Sequence, residues 1–367
     1  CLHSLILWVL VQQSLVTLTA GTINNDEKLD FGIFEWIHSS EGGYYNPKQE
    51  FRHQDPNDPN SLIGVFAKER IEKDELLCKV PWDKVIYGGG YCETVDVIVE
   101  AMRLGEKSEF APYAMYLNAQ RRGQLPTAWS DAGKDYLNQV LGVDSKKRAR
   151  IDPVHADLIL DEWYDECRDG DEYDELWSHG ALLAHQRADD DIMIPAYDMY
   201  NHRNGKWMNA KTNWSMENPH VTTASRTIEA GEQICISYDK CPECGGRAKP
   251  GHYGTGDMLR DYGFVEALPQ RWKFMGNRIV FDMDENESGK LEIEWHFKPE
   301  GSKKDAAESW LQDEINRLTE VRRSDNSDLG EVPLHEFNTI NAFIKANVLA
   351  MTNALQSLQE GNDKDEL

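Results

Sequence analysis

The stretch Ile194-Pro195-Ala196-Tyr197-Asp198-Met199-Tyr200-Asn201-His202 decides how the rest of the chain is read. An apolar, strand-like run near 192–198 meets a proline, and a polar Asn-His pair then stands in an apolar setting. Polar side chains placed at the end of an apolar run need partners, so such a pair marks a built site or a structural hydrogen-bond node. Downstream lies Gly231-Glu232-Gln233-Ile234-Cys235-Ile236-Ser237-Tyr238, a turn glycine followed by an apolar strand that ends in tyrosine. Tyr262-Gly263-Phe264-Val265 follows a short helix expected over Asp257 to Tyr262. Taken singly, Tyr238, His202 and Phe264 each read as an ordinary packed residue; their order along the chain is what carries information.

Working outward, IGVFAKE and ELLCKVPW are short β-like runs separated by the polar turn Glu72-Lys73-Asp74. From Thr94 to about Gln186 the apolar spacing becomes helical, with Val95, Ile98 and Met102 on one face and Trp163, Leu176, Leu182 and Leu183 later. Short strands return near 221–225 and 232–238. An amphipathic helix is expected at 27–40, upstream of all of these. Beyond residue 270, NRIVFDMD and KLEIEWHFK flank an acidic NESG turn and read as a β-hairpin. Two amphipathic helices come after it, the second with Pro333 near its start. The fold class is therefore α+β, with a helical lobe inserted at about 92–190 and a mostly helical lobe over 271–360.

The quoted pieces, together with IGVFAKERIEKDELLCKVP, resemble the SET-domain methyltransferases. Their order and gaps are most similar to the branch that includes the Rubisco large-subunit lysine methyltransferase and the actin-histidine methyltransferase. The resemblance spans roughly 61–270, within a SET domain expected over 27–270. It implies a core of small β-sheets, S-adenosyl-L-methionine as cofactor, and a protein lysine, or less favoured a histidine, as methyl acceptor. It also implies that the C-terminal lobe helps to bind the protein substrate. Tyr238 matches the tyrosine whose hydroxyl faces the transferring methyl. Asn201 and His202 match the pair that holds the adenine and the methionine amino group, Phe264 the aromatic packed on adenine, and Gly64 the second glycine of the cofactor strand.

The chain departs from the family pattern in three places. Ser61-Leu62-Ile63-Gly64 stands where the family has Glu-Gly-any-Gly. His185, with Arg187 two residues on, stands where the inserted lobe usually ends in an arginine near the cofactor carboxylate. Cys241-Pro242-Glu243-Cys244 is an insertion that reads as a structural disulfide, as half a zinc site with His252, or as a redox pair. No Walker loop, HExxH or GxSxG occurs. A non-catalytic SET-fold binding protein and a thiol-disulfide enzyme are the rival readings.

The totals set the setting. The 367 residues are 40% hydrophobic, enough for a sizeable core, and carry a formal charge of -25. So acidic a surface repels phosphate backbones, which argues against nucleic-acid binding and suits a basic protein substrate. Leu2 to Ala20 is apolar but short for a comfortable span, and small residues follow it, so 1–21 reads as a signal peptide that leaves no stable membrane span. The tail 361–367 ends in Lys364-Asp365-Glu366-Leu367, an address read by the KDEL receptor. The two ends agree on the endoplasmic reticulum lumen, with which the sequons Asn213-Trp214-Ser215 and Asn286-Glu287-Ser288 are compatible. Of seven cysteines, Cys1 would leave with the leader, and the pairing of the other six is not legible.

Overall fold

A computed structural model describes residues 29–58, 61–142, 150–151, 159–169, 172–215, 218–238, 253–323 and 331–360. The leader, the CxxC and the KDEL tail lie outside those residues. Helix α1 (Ile33–His38) is shorter than the amphipathic pattern suggests. The left-handed backbone of Phe31 and Gly32 stops it from starting earlier, and Ile33 and Ile37, one turn apart, are its buried face.

Four strands follow: β1 (Tyr44–Tyr45), β2 (Gln49–His53), β3 (Ile63–Ala67) and β4 (Leu76–Val80). β2 and β3 pair antiparallel, with Arg52 opposite Gly64. Helices α2 (Tyr91–Leu104), α3 (Ala111–Ala119), α4 (Asp131–Leu141), α5 (Ile159–Cys167) and α6 (Glu175–Arg187) form the insertion. Ser130 caps α4 by accepting from the Gly133 amide, and Asp174 caps α6 by accepting from the amides of Leu176 and Trp177. α2 and α6 approach closely because Gly180 carries no side chain: a Cβ there would stand 2.6 Å from a Val99 methyl. The Cys92–Cys167 disulfide ties α2 to α5, its Cα atoms 5.4 Å apart.

The chain then returns to the sheets with β5 (Asn201–His202), β6 (Ala210–Ser215), β7 (Asn218–Ala224) and β8 (Cys235–Ile236). β1-β4-β7-β6 form one antiparallel sheet, and β5 runs parallel to β8 with Asn201 opposite Cys235. The strand expected near 192–198 is not one. Met193 makes a single bridge to Ile86, and a 3₁₀ turn then covers Tyr197–Met199. Pro195 donates no backbone bond and Ala196 takes φ +65°, so the run breaks where it had looked most strand-like. β8 is likewise shorter than its apolar run.

α7 (Thr255–Tyr262) ends at Gly263, whose φ of +76° suits a helix C-terminus; a Cβ there would meet the Gln124 carbonyl oxygen at 2.4 Å. β9 (Gln270–Phe274), β10 (Ile279–Glu285) and β11 (Leu291–Phe297) make a sheet in the order β11-β10-β9, so the expected hairpin holds and gains a third strand. α8 (Ser302–Arg323) and α9 (Leu334–Glu360) complete the C-terminal lobe. The buried side chains fall into two cores. One gathers β3, β4, α2, α6 and the 192–200 segment; the other gathers β9, β10, α8 and α9. α4, although part of the insertion, packs Tyr136, Leu137 and Val140 into the second core. The site lies where β5 and β8 meet, on the side of the first core.

Candidate active site at the junction of β5 and β8

Tyr238 follows β8 and is held at both ends by the run it was expected to meet. Its backbone amide donates to His202 Nδ1 at 3.0 Å, and its hydroxyl donates to the Tyr200 carbonyl oxygen at 2.7 Å. Because an amide proton already points at Nδ1, the His202 ring carries its own proton on Nε2. That proton faces Glu266 Oε2 at 3.0 Å, with both side chains almost wholly buried. Glu266 also accepts from Asn204 Nδ2 at 3.2 Å and from Thr255 Oγ1 at 2.7 Å. A carboxylate with three donors of this kind is well solvated by protein, so burying it is tolerable. Both nitrogens of His202 are thus committed, and the ring serves to orient Tyr238.

Asn201 donates its side-chain amide to the Ile63 carbonyl oxygen at 2.8 Å, which joins β5 to β3. Gly64 is the next residue on that strand. A Cβ built on it would stand 2.5 Å from Asn201 Nδ2 and 2.2 Å from Gln233 Nε2, so two amides already fill its side-chain side. Phe264 is half-buried, its ring 6.1 Å from that of His202 and 6.3 Å from that of Tyr262. Tyr262 in turn lies 4.9 Å from Tyr238. Asn201, His202 and Tyr238 therefore form one connected unit, Gly64 adjoins it through Asn201, and Phe264 borders it across His202 and Tyr262.

Burial pushes the Tyr238 phenol well above its ordinary range, with the nearby Arg187 guanidinium working the other way. The group is a neutral hydroxyl at physiological pH and not a phenolate. It can place an oxygen dipole and donate one proton to Tyr200; it is no strong base.

Of the two basic residues at the end of the insertion, His185 Nε2 lies 3.2 Å from Asp261 Oδ1. Arg187 is turned inward. Its Nη1 bonds Asp198 Oδ2, the Asp198 carbonyl oxygen and the Tyr116 hydroxyl, each at 3.2 Å, and its Nη2 bonds Gln120 Oε1 at 2.9 Å. Sequence reasoning gave no role to Glu266, Asn204 or Asp198. The Asn-x-x-Asn-like spacing of Asn201 and Asn204 was the one available signal, and Glu266 had none, since its partners come from α7, from β5 and from the turn after β5.

A family model described as the SET domain matches residues 63–239. No curated protein matches the sequence. Among solved structures, "Structure of Rubisco LSMT bound to Sinefungin and Monomethyllysine" is similar with a TM-score of 0.51 at 13% identity, covering 92% of this chain and 92% of that one. "Crystal structure of the SET domain of LSMT bound to Lysine and AdoHcy" gives 0.51 at 12%, covering 92% and 91%. "Structure of Rubisco LSMT bound to AdoMet" gives 0.50 at 12%, covering 92% and 92%. At such identities the likeness speaks to the fold, and it extends over both lobes. Fold and family model agree on a SET domain, which the model matches over residues 63–239.

Proposed function

We propose that this chain is an S-adenosyl-L-methionine-dependent protein N-methyltransferase acting on lysine first and histidine second. The observation that carries the reading is the double pinning of Tyr238 by His202 Nδ1 and the Tyr200 carbonyl oxygen. The cofactor, when bound, supplies an electrophilic methyl on a sulfonium. Two oxygens held together, one a hydroxyl and one a carbonyl, are favourable neighbours for such a methyl, because they are fixed dipoles of the right sign in a low-dielectric site. Phe264 offers a flat face to a purine. Asn201 and the Gly64 strand offer polar groups beside it, and His202 contributes by orienting Tyr238. The residues present therefore fit the group.

The chain's own work is positional. In-line transfer depends on aligning nucleophile, methyl and leaving group, and Tyr238 fixed at both ends is a rigid reference for that alignment. A lysine amine must be neutral to attack, and a buried site lowers its pKa in that direction. The acidic surface suits approach of a basic segment.

The compartment belongs to the same proposal: the endoplasmic reticulum lumen, with return through the KDEL receptor. The Cys92–Cys167 disulfide supports it, since such bonds persist in oxidising compartments. The rival reading, a non-catalytic SET-fold binding protein, draws on the engagement of His185 with Asp261 and of Arg187 with Asp198. Neither side chain is then uncommitted for a cofactor carboxylate. Calorimetric titration of the purified chain with S-adenosyl-L-methionine decides between them: saturable heat below millimolar concentration supports the transferase, and none at millimolar supports the binder. A thiol-disulfide enzyme would instead lose activity on Cys241→Ser and keep it on Tyr238→Phe.

A further inference from the structure

The turn that supplies the Tyr200 carbonyl is strained. Ala196 is fully buried and holds φ +65°, a region that residues with a Cβ rarely adopt. Such a conformation persists only where the surroundings over-determine it. The bonds inside the turn are long: Asp198 N to Ile194 O at 3.2 Å, Met199 N to Ala196 O at 3.3 Å and Tyr200 N to Tyr197 O at 3.2 Å. Something outside the turn has to hold it.

Arg187 meets that need. It is the last residue of α6, at the end where a cation complements the helix dipole. One of its nitrogens reaches both the carboxylate and the main-chain oxygen of Asp198, so side chain and backbone of the turn are gripped together. The opposite edge of the guanidinium is fixed by Gln120, and Tyr113 donates to the same carboxylate oxygen at 3.0 Å. Gln120 and Tyr113 belong to the end and the body of α3. The inserted lobe therefore grips the strained turn from two helices at once. A planar fork can do this and a single ammonium cannot.

We propose that Arg187 is a positioning residue, which clamps the Ala196–Tyr200 turn through Asp198 and so fixes the carbonyl that receives the Tyr238 hydroxyl. Its consequence for methyl transfer rests on the proposed function; the clamp itself does not.

The test uses the full chain without ligand. Arg187→Met combined with Asp198→Asn removes both charges, so no buried charge is left unpaired. Amide hydrogen exchange is read on peptides covering 194–202 and on β9 and β10 in the second core. The clamp predicts exchange at least about tenfold faster in 194–202 with the second core unchanged. It also predicts a shifted ¹³Cζ signal for Tyr238, assigned with Tyr238→Phe. Arg187→Lys, which keeps a cation opposite Asp198 but loses the fork, should fall between wild type and the double variant, and it carries the test if the double variant does not fold. Once a substrate is in hand, kcat should fall about tenfold or more in the double variant while KM moves less than about threefold. Wild-type exchange in 194–202 would overturn the clamp, and so would faster exchange spread evenly over both cores. Should the wild-type chain transfer no methyl at all, the functional reading fails and the exchange result still judges the clamp.

Discussion

The hydroxyl of Tyr238 reaches back to the carbonyl oxygen of Tyr200, the residue before the Asn-His pair, at 2.7 Å. Two segments far apart in sequence are thereby locked so that one phenol oxygen and one carbonyl oxygen share a small space. Tyr238→Phe keeps the ring and the amide bond to His202 and removes only that oxygen. Net stability should fall by about 1 kcal/mol, the worth of one hydrogen bond. Methyl transfer should fall on the order of 10²-fold, as when one aligned dipole is removed from a reacting centre. Thermal unfolding beside an initial-rate assay separates the two effects.

Glu266→Ala takes the acceptor from His202, Asn204 and Thr255 together. Leaving buried donors unpaired should cost about 3 kcal/mol or more. Because His202 loses the acceptor of its Nε2 proton, which holds the ring in place under Tyr238, cofactor affinity and rate should fall with stability. Glu266→Gln, which keeps one acceptor oxygen, should recover part of each. Denaturant unfolding measures the first and calorimetry the second.

Phe264→Ala should weaken cofactor binding by about 1 kcal/mol, the scale of an aromatic contact beyond area burial, or roughly fivefold in Kd. The fold should be little affected, because Phe264 is only half-buried. Equal affinity in the variant would remove Phe264 from the cofactor's surroundings.

Burial holds His179 and His220 down to about 4 from 6.5. His220 is 2% exposed and neither of its ring nitrogens has a hydrogen-bond partner, so protonating it in place is costly. Folded-state values below the unfolded value mean that the unfolded chain binds more protons between pH 6.5 and 4. The stability these residues contribute is complete above pH 6.5, declines as pH falls, and is gone once pH drops below 4. The decline should approach about 3 kcal/mol for each. His220→Phe should remove about half of the combined decline and leave the His179 share, as read by urea unfolding at a series of pH values.

Reduction of the Cys92–Cys167 bond opens a loop with a sequence separation of 75, which should lower stability by about 2–4 kcal/mol. The loss should appear first as faster exchange in α5, which that bond fastens to α2. Unfolding with and without reductant, on the wild type and on Cys92→Ser/Cys167→Ser, checks this.

Much of the architecture was legible because it depends on local period. The β3 and β4 runs, the helical insertion and the β10–β11 hairpin follow from alternation, helical spacing and turn residues. The 192–198 segment misled because apolar content cannot tell a buried turn from a strand, and Pro195 and Ala196 break the run through backbone geometry. α4 was legible as a helix but not as part of the second core, since spacing shows which face is apolar and not what covers it. At the site, Asn201, His202 and Tyr238 come together as their order along the chain suggests. Glu266, Asp198 and the direction of Arg187 were out of reach: each acts through partners distant in sequence, and a buried ion pair leaves no pattern in a single chain. The Cys92–Cys167 pairing was illegible for the same reason.

The most direct measurement is transfer itself. The purified chain is incubated with methyl-labelled S-adenosyl-L-methionine and a lysate of secretory-pathway proteins, and mass spectrometry locates any label, with Tyr238→Phe run alongside. A mass gain of one or more methyl groups on a lysine or histidine nitrogen, lost in the variant, is the predicted result. Label that appears equally with Tyr238→Phe, or no label despite saturable cofactor binding, would contradict the assignment of Tyr238 to the reacting methyl.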